Sequence, residues 1–186
     1  MAEILFISQN YLKQNSIIND NTDFEMLEPT IVMVQDVYIQ NLLGTALFED
    51  LKIKLATDVT LATEPLYKGL LDNYISKIML WYILMESTPS FKFRYMNAGV
   101  VEKNGDGFSS TSRGDLMWLM DKWRLNAERY SEMLTKYLID SIALFPKYVE
   151  VINRGVLPND NAYNVSCYLD DYDEQEKNKW CLPRIR

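Results

Sequence analysis

The chain has 186 residues with 48% apolar side chains, which is enough for one domain with a real core and excludes disorder throughout. Acidic side chains outnumber basic ones by 26 to 19, which argues against broad attraction to nucleic acid or anionic membranes. A surface past which DNA must slide would tolerate a negative net charge. Histidine is absent, and with it the commonest general base, the histidine-paired nucleophiles and the commonest transition-metal ligand.

The N-terminus has neither the basic region nor the long apolar run of a signal peptide. The longest apolar stretch, residues 78–85, is far shorter than the ~20 residues that span a bilayer. Cys167 and Cys181 are too few for a disulfide framework. These features predict a soluble protein, made in the cytoplasm, with free thiols.

The first third of the chain predicts three helices separated by polar or glycine breaks. Ser8 can cap a short helix that ends near Asn15. Pro29 is favoured at a first helical position and begins the next helix, which Gly44 interrupts. Thr45 can then cap a further helix.

A long apolar helix is predicted from a Thr63 cap and Pro65 to about Glu86, with Pro89 as its end. Its apolar residues cover more than half of its circumference, which predicts a central position or cover by a neighbouring subunit. The last helix, from about Ser112 to Ile139, shows the most regular helical spacing. The tryptophans, tyrosines and methionines of both helices are interpreted as core, and the charged outer face as solvent cover.

Between these two helices, residues 94–115 form a glycine- and serine-rich excursion that is long for a helix connection. Its turn pairs Asn104-Gly105 and Asp106-Gly107 predict a small hairpin. It lacks the spacing of a phosphate-binding loop, and Arg113 stands where a calcium loop starting at Glu102 needs a glutamate. We therefore interpret it as a protruding arm with a protein partner.

From residue 141 onward, prolines and turn residues break the helical pattern, yet aromatic residues are frequent. Such a tail is expected to lie extended against a surface, its own or a partner's. Five acidic residues near its end are dense enough for a divalent ion, but we interpret them as a solvated patch. They are Asp170, Asp171, Asp173, Glu174 and Glu176.

The predicted fold is mainly α: an antiparallel helical bundle with a long protruding loop or small β-hairpin and an extended C-terminal tail. Residues 1–140 form the helical domain, with the loop at 94–114, and residues 141–186 form an aromatic-rich arm.

The order of these pieces resembles one known family. The segment from Glu28-Pro29 to Leu51, with Ile39-Gln40-Asn41-Leu42-Leu43-Gly44-Thr45-Ala46-Leu47 at its centre, is similar to the segment joining the first two helices of tailed-bacteriophage head-to-tail connector proteins. The nearest are those of phages infecting Bacteroidetes, the crAss-like group among them. Asn97-Ala98-Gly99-Val100-Val101, Ala127-Glu128-Arg129-Tyr130 and Tyr137-Leu138 follow in the family's order.

The resemblance implies a virion structural protein of the neck, or adaptor. Such subunits form a ring, usually twelvefold, that binds the portal protein and other neck or tail proteins. The genomic DNA passes through the ring without specific binding. No catalytic residue, cofactor, metal or membrane contact is expected.

Two sets of partner contacts are predicted from these interpretations. The loop set, facing a neighbouring subunit or the next ring, is Tyr95, Asn97, Val100, Val101 and Phe108. The tail set, facing a partner such as the portal, is Phe145, Tyr148, Tyr163, Tyr168, Tyr172 and Trp180. Truncation after Asp140 is expected to leave a folded helical protein that no longer assembles.

Two other classes remain open. A cytosolic helical module that binds a peptide or protein through the loop would be a monomer of stable mass. A metal-dependent enzyme built on acidic residues would bind a divalent ion tightly.

Overall fold

The computed structural model describes residues 4–18, 24–96, 99–102, 112–150 and 155–159. This part of the chain is mainly helical. The α-helices are α1 (Gln9–Asn15), α2 (Glu28–Val34), α3 (Gln40–Thr57), α4 (Pro65–Leu70), α5 (Ser76–Lys92) and α6 (Arg113–Asp140). The π-helical turns Gln35–Ile39 and Leu71–Ile75 join α2 to α3 and α4 to α5, and 3-10 turns occupy Phe24–Met26 and Pro146–Val149. Two short strands, β1 (Phe93–Met96) and β2 (Gly99–Glu102), pair antiparallel.

Two helix starts are confirmed as predicted. The Ser8 side chain accepts a hydrogen bond from the Tyr11 N–H (3.2 Å) and caps α1. The Ser112 hydroxyl accepts one from the Asp115 N–H (3.2 Å) and donates to its carboxylate (2.7 Å), which caps α6. Both caps satisfy backbone donors that the first turn of a helix leaves without a partner.

The break at Gly44 is also confirmed. This residue has φ 73° and ψ 157°, a conformation that is essentially restricted to glycine. Thr45 has a different role from the predicted cap, because its hydroxyl accepts from the Gln40 side chain (3.2 Å) and from the Val156 N–H (2.8 Å). The Thr45 hydroxyl, which the sequence pattern assigned to a helix start, thus accepts a hydrogen bond from Val156 in a distant part of the chain.

The boundaries of the long apolar helix differ from the prediction at both ends. Glu64, not Thr63, is the N-cap of α4, and no side chain caps it. Pro89 lies inside α5, which continues to Lys92. A proline removes one helical hydrogen bond, yet the helix continues past it, and Met85 and Thr88 in the preceding turn are buried.

Burial within the chain accounts for the apolar circumference of α5. Its partners include α2 on one side and α6 on another. Its buried residues therefore face several directions: Ile78, Met79, Leu80, Tyr82, Ile83, Leu84 and Met85. Of the two predicted explanations, the central position is the one that the structure supports, and α5 requires no neighbouring subunit to cover it.

The chain after α6 turns back onto the core. Phe145 is 0% exposed and lies edge-on to the rings of Tyr67 (5.6 Å between centroids) and Tyr137 (6.0 Å). Tyr148 is buried in the same cluster of apolar residues. The prediction that Phe145 and Tyr148 contact a partner is therefore corrected: both side chains complete the core of the chain itself. A domain ending at residue 140 would lack them.

By length and composition alone, the helical span Glu28–Thr57 is long and apolar enough to cross a membrane. The same test is passed by core helices of soluble proteins. Here Gly44 interrupts the helical backbone, and Ile31, Val34 and Leu47 lie in the core.

Candidate assembly surfaces

The N-terminal part of α6 is its least buried part, although Leu119 and Met120 pack partly against the core. None of residues 113–122, all of which the structure describes, is buried, and the first buried side chain of the helix is Trp123. At 1.5 Å per residue this part is about 15 Å long. We call residues 113–122 the outer end of α6. β1 follows directly from α5, which packs along α6.

The outer end carries large apolar side chains in contact with solvent. Trp118 is 64% exposed and Met117 is 54% exposed. The Lys122 ammonium lies 5.3 Å from the centre of the Trp118 ring, which partly covers one face of the indole. Both apolar residues belong to the set that the sequence pattern assigned to the core, and the structure corrects that assignment. A tryptophan in this position is a feature typical of protein interfaces.

An apolar groove of about 210 Å³ lies on the other side of the same helix. Its wall is made by Phe91 of α5 and Trp123 of α6, and the exposed Ile17 forms its rim. The Ser87 and Thr88 hydroxyls in the groove donate back to the Leu84 carbonyl at 3.4 and 2.6 Å. Since these donors are satisfied within α5, the groove presents mainly carbon to solvent.

The C-terminal segment 155–159 is held on the break at Gly44, and we call this segment the strap. The Thr45 N–H donates to the Val156 carbonyl (2.9 Å), and the Asn159 N–H donates to the Asn41 carbonyl (2.9 Å). The Val156 N–H returns a bond to the Thr45 hydroxyl (2.8 Å). The break thus frees backbone groups that the strap then satisfies.

Glycine is required at this site for two reasons. Its backbone angles favour no other residue, and a Cβ at position 44 would lie 2.7 Å from Pro158 Cδ and 2.9 Å from Cγ. The Leu-Leu-Gly-Thr stretch quoted above therefore has a local physical role: it provides the site on which the strap binds.

The N-terminal segment is held by a buried glutamine in the first π-helical turn. Gln35 is fully buried, its Oε1 accepts from the Phe6 N–H (3.0 Å) and its Nε2 donates to the Ile4 carbonyl (3.0 Å). The side chain acts like a strand partner for this segment. Beside it lies an open cleft of about 480 Å³, with Tyr11, Asp72 and Ser76 among its lining residues.

Two tyrosines form short hydrogen bonds to carboxylates. The Tyr38 hydroxyl donates to Glu86 (2.6 Å), and the Tyr67 hydroxyl donates to Asp50 (2.6 Å). Burial, followed by the hydrogen bond and charge of the carboxylate, raises the pKa of each phenol far above its usual range. Both hydroxyls are therefore fixed as donors that connect helices.

Among the residues that the structure describes, no group of three or more Asp, Glu, Cys or His side chains is placed to hold a metal. The acidic residues near the C-terminus, Asp170 to Glu176, lie outside that part of the chain.

The predicted contact residues fall into three groups. The backbone at Tyr95, Val100 and Val101 belongs to the strand pair, in which Tyr95 is opposite Val100 and Arg94 is opposite Val101. Phe145 and Tyr148 are in the core, as described above. The others, Asn97, Phe108, Tyr163, Tyr168, Tyr172 and Trp180, lie outside the described residues.

Three features of these surfaces were missed in the sequence pattern. The exposed Trp118 has the helical spacing of a surface position, seven residues before the exposed Leu125, and this signal was available. Gln35 and the pairing of the strap with Gly44 carry no local signal, because each depends on a contact between distant residues.

Comparison with known families places the chain in one of them. Residues 39–154 match a family of unknown function, DUF6712, and since this is more than half of the chain, the protein belongs to that family. The matched region includes Gly44, the groove residues of α5 and the whole of α6. No curated protein and no solved structure matches the chain significantly.

Proposed function

We propose that the protein is a virion structural protein of a tailed bacteriophage, a subunit of an oligomeric neck ring. The ring would join the portal vertex to the tail and extend the DNA channel. Its partners are further copies of itself, the portal protein and other neck or tail proteins, and it has no catalytic role. The proposal requires that each subunit is an antiparallel helical bundle with two arms, one formed by the 94–114 loop and the other by the C-terminal segment.

The observation that carries this proposal is the exposed apolar surface of the outer end of α6 and of Phe93 at the start of β1. Aromatic side chains bury 150–250 Å² when covered, so Trp118 and Phe93, which are 64% and 39% exposed, leave on the order of 200 Å² of ring surface in solvent. A specific interface covers about 800 Å² per partner. Met117, which is 54% exposed, adds further apolar area to this surface.

The sequence resemblance and the charge supply independent support. The segments quoted for the connector family occur here in the same order, and the net charge of −7 suits a wall along which DNA must move without binding. The strap lies beside Asn41 and Thr45, next to the break at Gly44 within α3, and the proposed C-terminal arm would follow from there.

The proposal is tested by the mass and shape of particles in solution. The purified chain, alone and mixed with the portal protein encoded in the same genome, is expected to give rings in electron micrographs and a multiple of the chain mass by light scattering. A monomer whose mass does not change with concentration or with added portal would refute the ring. It would favour the cytosolic binding module instead.

The arm is tested by truncation after Asn159. Cutting after Asp140 would remove Phe145 and Tyr148 from the core, so loss of assembly would then only report unfolding. The 1–159 chain keeps both residues and the strap. We expect it to retain full helicity and to lose binding to the portal, whereas unchanged portal binding would show that the arm is dispensable. Deletion of residues 100–107 tests the loop in the same way, with ring formation as the measurement.

A further inference from the structure

We infer that the apolar groove between α5 and α6 receives Trp118 from a second copy of this chain. The inference rests on the proposed ring and adds the identity of its subunit contact. The direction, size and chemistry of the two surfaces support this contact.

The two surfaces face different directions from one helix. Trp118 and Trp123 are five residues apart, which at 3.6 residues per turn rotates their side chains by about 140° around the helix axis. Trp123 lines the groove and Trp118 lies on the exposed side. When one copy inserts its projecting group into a second copy while its own groove receives a third, the contacts are head-to-tail and close into a ring if the rotation allows it. Reciprocal insertion between two copies would instead give a two-fold dimer, and the proposed ring therefore requires the head-to-tail arrangement.

The groove has the size of an indole. An apolar cavity of about 150 Å³ holds benzene, so a ring system of nine atoms needs on the order of 200 Å³. The groove measures about 210 Å³. Trp118 has the largest ring among the exposed apolar side chains in the described part of the chain.

The groove also supplies what a buried indole requires. An indole N–H normally finds an acceptor when it loses water. The Ser87 and Thr88 hydroxyls donate to the Leu84 carbonyl, and each hydroxyl oxygen retains an acceptor site that can receive the Trp118 N–H. The groove therefore favours tryptophan over phenylalanine or methionine.

The experiment uses the full-length chain under the conditions in which the parent forms rings, and it follows particle mass by light scattering. Trp118→Ala removes the projecting group, and Ile17→Asp places a charge on the exposed rim of the groove. Ser87→Phe places a larger side chain at a residue that lines the groove and serves as a second block. Each variant alone is expected to stay monomeric, with subunit association weakened about a hundredfold.

Mixing the variants gives the decisive result. Trp118→Ala keeps an intact groove and Ile17→Asp keeps an intact Trp118, so together they should form one head-to-tail contact and stop at a pair of twice the 21.8 kDa chain mass. Ile53→Ala, a change at a residue that is also 64% exposed but lies on α3, is the control and should still form rings. Trp118→Phe, which keeps a ring but loses the N–H, should weaken association about fivefold.

The outcomes separate the two proposals. If Trp118→Ala and Ile17→Asp both still form rings, the ring exists but uses another contact, and the inference is wrong while the proposed function stands. If the mixture remains monomeric although each variant is folded by circular dichroism, the head-to-tail pairing is also wrong. A parent chain that forms no ring with or without portal overturns both.

Discussion

The contact between Gly44 and the strap gives the most quantitative prediction, through the substitution Gly44→Ala. A residue with a side chain in this backbone conformation costs about 1–3 kcal/mol. The new Cβ would also lie 2.7 Å from Pro158 Cδ, so the strap would have to move. Its three hydrogen bonds to Asn41 and Thr45 contribute about 1 kcal/mol each. We expect a loss of about 2–4 kcal/mol, because an open strap relieves the clash but loses these bonds.

Chemical denaturation measures the total loss of stability in Gly44→Ala, and amide hydrogen exchange shows which part of the chain is destabilised. The Thr45, Val156 and Asn159 N–H groups should lose protection in Gly44→Ala, while amides in the middle of α6 change only with global stability. Pro158→Ala removes the clashing ring atoms. In the Pro158→Ala variant, Gly44→Ala should cost only the free energy of the unfavourable backbone conformation. The effects of the two substitutions on stability should therefore be coupled by at least about 0.5 kcal/mol.

Gly69→Ala is the matched control. Gly69 lies in α4, and a Cβ there would meet nothing closer than the Asn73 side chain at 3.9 Å. Alanine is the better helix former, so this change should stabilise the protein by up to about 1 kcal/mol. If Gly44→Ala behaved like Gly69→Ala and the strap amides kept their protection, the role assigned to the break would be refuted.

Three further predictions concern other contacts. Gln35→Leu should cost about 2–4 kcal/mol in denaturation, because the Phe6 N–H and the Ile4 carbonyl lose their partner; a cost below 1 kcal/mol would contradict this. The pKa of Tyr38 is raised in the folded state. The stability that this tyrosine contributes is therefore complete below its unfolded pKa of about 10 and falls as the pH rises above that value. Tyr38→Phe should accordingly lose less stability than the parent between pH 9 and 11. Hydrogen bonds from the Thr60 hydroxyl and N–H, then from the Thr63 and Ala62 N–H groups, lower the pKa of Asp58, so its contribution is present above about pH 4 and falls in more acidic solution. Asp58→Asn should therefore reduce the loss of stability at acidic pH. If stability fell as steeply with pH in the variant as in the parent, the Asp58 carboxylate would not be the source of that loss.

Local signals determined the parts of the fold that depend on neighbours in sequence. Ser8 and Ser112 cap their helices because a hydroxyl reaches the free N–H groups of the next turn without help from the rest of the chain. Gly44 can break its helix because glycine adopts this backbone conformation without the steric cost that a Cβ would impose. The regular apolar spacing of α6 likewise fixed its extent to within a residue.

Tertiary packing decided everything that joins distant residues. Pro89 lies within α5, where a local signal predicted the end of the helix, and Phe145 and Tyr148 fill the core because the chain turns back after α6. Thr45 receives the strap instead of capping a helix. A sequence records which side chains are apolar and which can accept hydrogen bonds. Which partner each one meets is set only when the chain folds, since contacts between remote segments determine burial and compete with local ones.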